Sequence, residues 1–171
     1  GQILLSRVTT VSGDAVVEPK NVEAPLGTKY ADLVSFCGGL KETPAKVISG
    51  GTMMGFAVPN LELATTKTTS GLLLLSRRRV FQYSSQACIN CGRCVRACPM
   101  GLNAAEIAKA VEADDIKASE EAHVMSCIEC GACTFGCPAY RPITQFCRRA
   151  KSSIRARLAA EKSKAAAAKA K

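Results

Sequence analysis

The sequence predicts an α+β chain: a mostly β unit crossed by one helix, then a helical unit folded around two cysteine loops, then a basic Ala/Lys-rich tail. Three observations predict it. Residues 1–76 alternate short β-branched or apolar runs with Gly and Pro punctuation. Eight of the ten cysteines fall in two copies of one twelve-residue pattern, offset by 39 residues and identical at seven positions. The formal charge of +9 is unevenly spread: residues 148–171 carry nine Lys or Arg against Glu161 alone, while residues 1–147 carry 14 basic and 13 acidic groups. At 171 residues the chain suits one ordinary domain or two small ones, and with 5% aromatics and no Trp its core must be aliphatic.

In the first unit, strands are expected at residues 8–11, 15–17, 47–49, 56–58 and 72–75. One helix at 29–37 has Thr28 as its cap, Leu33, Phe36 and Cys37 as its apolar stripe, and Gly38-Gly39 as its stop. Together these read as a β-grasp-like module over residues 1–76. Residues 77–86 show no period and read as a linker. The cysteine region, 87–148, contains a helical insert: Asn103 with Glu106 three residues on marks a helix start, and Ile107, Ala108 and Val111 share a face. Asp114-Asp115 then caps a second short helix reaching Val124. Residues 149–171, with Ile154 and Leu158 as their only large aliphatics, are expected to be helical or disordered and to fray at the end.

Each cysteine group has the spacing C-x2-C-x2-C-x3-C-P, the run of bacterial two-cluster ferredoxins. Three thiolates at this spacing wrap one tight loop around a cubane and leave its fourth iron for a ligand from elsewhere. Gly92 and Gly131, directly after the second Cys, permit the dihedrals and close approach that the loop needs. The fourth Cys, before Pro99 or Pro138, ligates the other cluster in such proteins. The expected sets are therefore Cys88, Cys91, Cys94 and Cys137 for one [4Fe-4S] cluster, and Cys127, Cys130, Cys133 and Cys98 for the other. A four-thiolate zinc site is the competing reading, but it leaves the third Cys, the fourth Cys and the Pro without a purpose. Cys37 and Cys147 read as small buried hydrophobes, Cys147 beside the second cluster, and His123 reads as a surface or cluster-shell residue. Candidates for tuning the clusters are Arg93 and Arg96 near the first and Glu129 near the second, with Ile89, Val95, Met100, Met125, Ile128 and Phe135, whose bland role is packing.

These features exclude several function classes. One His removes every mechanism that needs two imidazoles, and there is no Walker motif and no G-x-G-x-x-G. No nucleophile and base pair stands out. No apolar run is long enough to span a bilayer, and without an initiator Met residue 1 reads as a processed or truncated end. The basic tail reads first as a helix that is solvated or meets a neighbouring protein, then as a contact for an anionic membrane surface. Nucleic acid fits least, because the tail lacks aromatics and the body is nearly neutral.

The combination resembles the C subunit of the Rnf-type ion-translocating ferredoxin:NAD oxidoreductases. The resemblance rests on Gly13-Asp14-Ala15-Val16, Pro19-Lys20-Asn21, Ala24-Pro25-Leu26-Gly27-Thr28, Gly38-Gly39, Gly50-Gly51-Thr52-Met53-Met54-Gly55, and residues 88–102 and 127–149. It implies a soluble-ligand-binding β-grasp module followed by an α-helical-ferredoxin-like dicluster module, peripheral on the cytoplasmic side of the bacterial inner membrane. It also implies partner subunits of a membrane electron transport complex, with FMN and NAD(H) held only on a region upstream of this chain, which by itself is not catalytic. The expected function is one-electron relay through two [4Fe-4S] clusters in a complex coupled to ion translocation. The alternatives are an iron-sulfur subunit of a quinone-linked or heterodisulfide-type reductase and a stand-alone ferredoxin-like carrier.

Overall fold

The computed structural model describes residues 1, 3–81 and 83–169, and side chains as far as residue 166. Two compact units make up the chain, Gly1–Gln82 and Tyr83–Lys171.

Strands β1 (Ser6–Ser12), β2 (Lys20–Pro25), β3 (Lys46–Ser49), β4 (Phe56–Val58) and β5 (Gly71–Leu75) form one sheet in the order β2-β1-β5-β3-β4. Its central pair, β1 and β5, is parallel and the other neighbours are antiparallel. The period-two alternation of the strands puts Val11, Val22, Ala24, Val47, Val58, Leu72 and Leu74 in one core with Tyr30, Leu33 and Val34 of helix α1 (Tyr30–Phe36) and with Cys37 just beyond it. Inside that core the hydroxyls of Tyr30 and Ser49 meet at 2.8 Å, so neither is buried without a partner.

Three expectations for this unit need correction. No strand forms at 15–17: Val16 makes one isolated bridge to Leu40, and the chain is turning there. Gly13, at φ 122, lies so close to β5 that a Cβ on it would sit 1.9 Å from the Leu74 carbonyl oxygen. Asp14 then receives hydrogen bonds from the Ser76 hydroxyl and N–H, which hold its carboxyl below the usual range. The strand comes instead at β2, whose polar alternation and terminal Pro25 are tolerated because it is an edge strand. Thr28 does not cap α1; its hydroxyl donates to the Pro25 carbonyl, and Lys29 takes the cap position without a side-chain bond. Phe36 leaves the apolar stripe: it is 67% exposed, with the Lys20 ammonium 4.9 Å from its ring centroid. The helix does stop at Gly38 and Gly39, both left-handed at φ 79 and 83.

After a single 3-10 turn at Arg77–Arg79, and with Gln82 of the expected linker outside the described residues, the second unit begins. Tyr83 stacks on Tyr140 with centroids 4.2 Å apart, and the Gln86 N–H donates to the Ala139 carbonyl. The helices are α2 (Arg93–Arg96), α3 (Ala104–Glu112), α4 (Ile116–Glu121), α5 (Ala132–Phe135) and α6 (Ile143–Lys169). Asn103 caps α3 by accepting from the Glu106 N–H, while its amide donates back to the Glu106 carboxylate. Asp115 caps α4, but that helix ends at Glu121: His123 is left-handed, and a 3-10 turn, Val124–Ser126, carries the chain to the second cysteine loop.

The longest helix, α6, begins before Cys147 and runs through the basic region. Ile143, Cys147, Ala150 and Ile154 recur every three or four residues and are buried against Leu102, Ala104, Ile107, Ala108, Val111 and Val124. Leu158, by contrast, is 40% exposed. Acids of the preceding segment meet several of the helix's cations: Arg149 bonds to Asp114, Arg157 to Glu120, and Arg148 and Lys151 both to Glu129. Side chains from 155 to 166 are exposed, and the expected fraying falls on Ala170 and Lys171, outside the described residues. No helix among the described residues is long and apolar enough to cross a membrane.

Candidate metal centre

Both cysteine loops are shaped by residues that enter the left-handed region. Gly92 and Gly131, at φ 70 and 83, turn the chain into α2 and α5. The third Cys of each group, Cys94 or Cys133, is thereby carried in a single helical turn, and Cys98 or Cys137 follows just after it. The second intervening residue of each first C-x-x-C, Asn90 and Glu129, is left-handed as well, at φ 54 and 58. Asn tolerates this conformation and Glu does so rarely. The sequence singled out Glu129 as a neighbour of the second cluster but did not mark the left-handed turn that it shares with Asn90, although the 39-residue repeat puts them at equivalent positions.

The fold brings the thiols together across the repeat. Cys88, Cys91, Cys94 and Cys137 line one hollow of about 430 Å³. Cys127, Cys130, Cys133 and Cys98 line a second, tighter one of about 20 Å³, together with Cys147. Each loop thus shares its hollow with the fourth Cys of the other. Backbone donors face the sulfurs: the Leu102 N–H lies 3.4 Å from Cys98 Sγ, and the Glu129 N–H lies 3.3 Å from Cys127 Sγ. Four thiols of the repeat at each hollow, with a left-handed glycine in each loop and N–H groups on two sulfurs of the second, suit a cluster of iron and sulfide better than a lone tetrahedral ion.

Burial pushes the Cys94 and Cys133 thiols above their usual range. Burial first, then the neighbouring Cys127, raises Cys147 to about 12. Thiols in such surroundings ionise readily only beside a cation, which is the role iron takes in thiolate ligation. Cys37 is fully buried in the other unit, and exposed His123 lines neither thiol hollow.

Charged side chains reach both loops. Lys109 of α3 donates to the Asn90 side-chain oxygen at 2.8 Å. Lys151 of α6, only 7% exposed at its side chain, donates to the Cys127 carbonyl at 2.7 Å and to the Glu129 carboxylate at 2.8 Å. Arg148 adds a bond of 3.0 Å to the same carboxylate. Lys151 above all, then Arg148, holds the Glu129 carboxyl below its usual range against the opposing effect of burial. Buried Arg141, paired with Glu112 and lying over the Phe146 ring, lines the first hollow. Lys109, Arg141, Arg148 and Lys151 were not singled out in the sequence, because pairings with α3 and α6 have no local signature. Of the expected tuning residues, Arg93 and Arg96 are exposed and Val95 is half-buried. Ile89, Met100, Met125, Ile128 and Phe135 are also exposed, Phe135 to 88%, so packing does not describe them.

Comparison with known proteins agrees with this geometry. A family model for the SLBB domain matches residues 8–57, and one for the 4Fe-4S dicluster domain matches residues 81–138. The chain is therefore an iron-sulfur protein that pairs an SLBB domain with a dicluster domain. Over 162 residues it is 49% identical to the C subunit of the proton-translocating ferredoxin:NAD(+) oxidoreductase complex of Clostridium ljungdahlii, covering 94% of this chain and 35% of that protein. It is 38% identical over 154 residues to the C subunit of the ion-translocating oxidoreductase complex of Rhodobacter capsulatus, covering 90% of this chain and 30% of that one. Along the segment it spans, the chain is a homologue of the C subunits of the Rnf-type ion-translocating oxidoreductase complexes, and that segment is about a third of the length of these curated relatives.

Proposed function

We propose that this chain is the electron-carrying segment of the C subunit in an ion-translocating ferredoxin:NAD oxidoreductase complex, with Cys88, Cys91, Cys94 and Cys137 holding one [4Fe-4S] cluster and Cys127, Cys130, Cys133 and Cys98 the other. The observation that carries this reading is the exchange of the fourth cysteines between the two hollows. A cluster in which all four irons are bound by thiolates supplies one-electron oxidation and reduction and offers a substrate no open iron. The chain's own residues fix the loops, point N–H groups at the sulfurs and exclude water from Cys94 and Cys147.

The domain limits follow the same reading: a β-grasp-like module at 1–76, a linker at 77–86 and an α-helical-ferredoxin-like dicluster module at 87–148, while the expected tail at 149–171 continues α6, whose Ala150, Lys151 and Ile154 are buried in the second unit. A five-stranded sheet with a parallel central pair and a single crossing helix supports the first assignment, and the helices between the cysteine loops support the second. FMN and NAD(H) belong to other parts of the complex. The partners are its other subunits, and the place of work is the cytoplasmic face of the bacterial inner membrane, which the exposed Lys162 and Lys164 suit.

The test is anaerobic reconstitution of the chain with iron and sulfide, followed by quantitation of metal and sulfide. Two cubanes give about eight iron per chain. Four iron, or zinc alone, would falsify the relay.

A further inference from the structure

We propose that the partly buried ion cluster of Lys151, Glu129 and Arg148 sets the reduction potential at the second thiol set, with the ammonium of Lys151 raising it and the carboxylate of Glu129 lowering it. This rests on the two-cluster reading above and adds to it the residues that make the two sites unequal.

Three observations carry it. The cluster of charges touches one expected ligand twice: Lys151 bonds to the Cys127 carbonyl, and Glu129 presents its own N–H to Cys127 Sγ. It is also shielded, since Lys151 is 7% exposed and Glu129 and Arg148 are about 25% exposed at their side chains, so solvent and salt screen it weakly. Finally, the repeat diverges at this position. The equivalent residue of the first loop is neutral Asn90, bonded by Lys109, which lies on the exposed side of α3. Reduction adds one negative charge to a cluster, so a nearby buried cation stabilises the reduced form and a nearby carboxylate destabilises it. Lys151 and Glu129 therefore act in opposite directions although they are bonded to each other. Lys151 is a positioning residue too, because its bonds hold the left-handed Glu129 in place.

The experiment uses the full chain loaded anaerobically with iron and sulfide, with potentials read by EPR-monitored redox titration. The second site's wave is identified by its loss in Cys130→Ser. Lys151→Met is expected to shift that wave down and Glu129→Gln to shift it up, each by about a tenfold change in the one-electron equilibrium, about 59 mV. The double variant should return near the wild-type value, Lys151→Arg should stay there, and the first site should not move. A purely structural latch would make both single variants lose iron more easily without shifting the potential in opposite directions. Shifts of the same sign, or none, overturn the proposal. If Lys151→Met takes up no iron, Glu129→Gln decides alone, an upward shift supporting the proposal and any other result overturning it. A wild-type chain that loads only one cluster removes the functional reading itself, whereas eight iron with unshifted potentials removes this inference alone.

Discussion

Cys98 is four residues past Cys94 in sequence, yet it lines the hollow of the other loop. The single turn of α2 between them accounts for this: it carries Cys94 inward on the first loop's side, and Cys98, just beyond the helix end, faces Cys127 and Cys147 with the Leu102 N–H on its sulfur. Replacing it is informative because an oxygen ligand would be supplied to one cluster only. Cys98→Ser is expected to disturb the EPR signal and iron retention of the second site while the first keeps its spectrum. A change confined to the first site would mean that each loop keeps its own fourth thiolate. Cys147, expected beside the second cluster, supplies a fifth thiol at the same hollow, buried to 2% exposure and raised to about 12. In the sequence it reads as core, and it is core. The two readings are one, because this part of the core is the wall of the site.

At the scale of elements, what was legible depended on whether the cause was local. The stop of α1 at Gly38-Gly39, the caps at Asn103 and Asp115 and the left-handed Gly92 and Gly131 are set within a few residues, and each was readable. Strand β2 was not, because its pairing with β1 across 6–25 outweighs a polar, Pro-ended segment of low strand propensity. The same holds for α6. Its basic residues suggested a tail, whereas Arg148, Arg149, Lys151 and Arg157 find carboxylates on α4, near its start and on the second cysteine loop, and four small or aliphatic positions seat it in the core. Burial, not charge, should dominate its contribution. Ile154→Ala is expected to cost the second unit about 2–5 kcal/mol in denaturant unfolding, since the side chain is fully buried. Leu158→Ala, one turn further and 40% exposed, should cost about 1 kcal/mol or less. Equal losses at both positions would mean that α6 is held along its length by something other than this core.

At the scale of the whole molecule, the two units differ in what holds them together. The first has a core of thirteen buried residues, among those described, drawn from strands β1 to β5, α1 and the turns beside them, and its single Cys is an inert hydrophobe. In the second, cysteines are part of the packing: Cys94, Cys98, Cys127, Cys133, Cys137 and Cys147 all belong to or pack on its two hydrophobic clusters. Iron bound across the repeat would tie Cys98 to the loop beginning at Cys127, and Cys137 to the loop beginning at Cys88, closing chain segments of about 30 to 50 residues whose closure costs entropy in the unfolded state. Metal binding and folding would therefore be coupled in the second unit and uncoupled in the first. Calorimetry of the loaded chain should show two transitions, and stripping iron anaerobically with a chelator should lower the midpoint of the one that reports residues 83–171 and leave the other in place. If both transitions moved together on iron removal, or neither moved, the cysteines would not be the members that hold the second unit together.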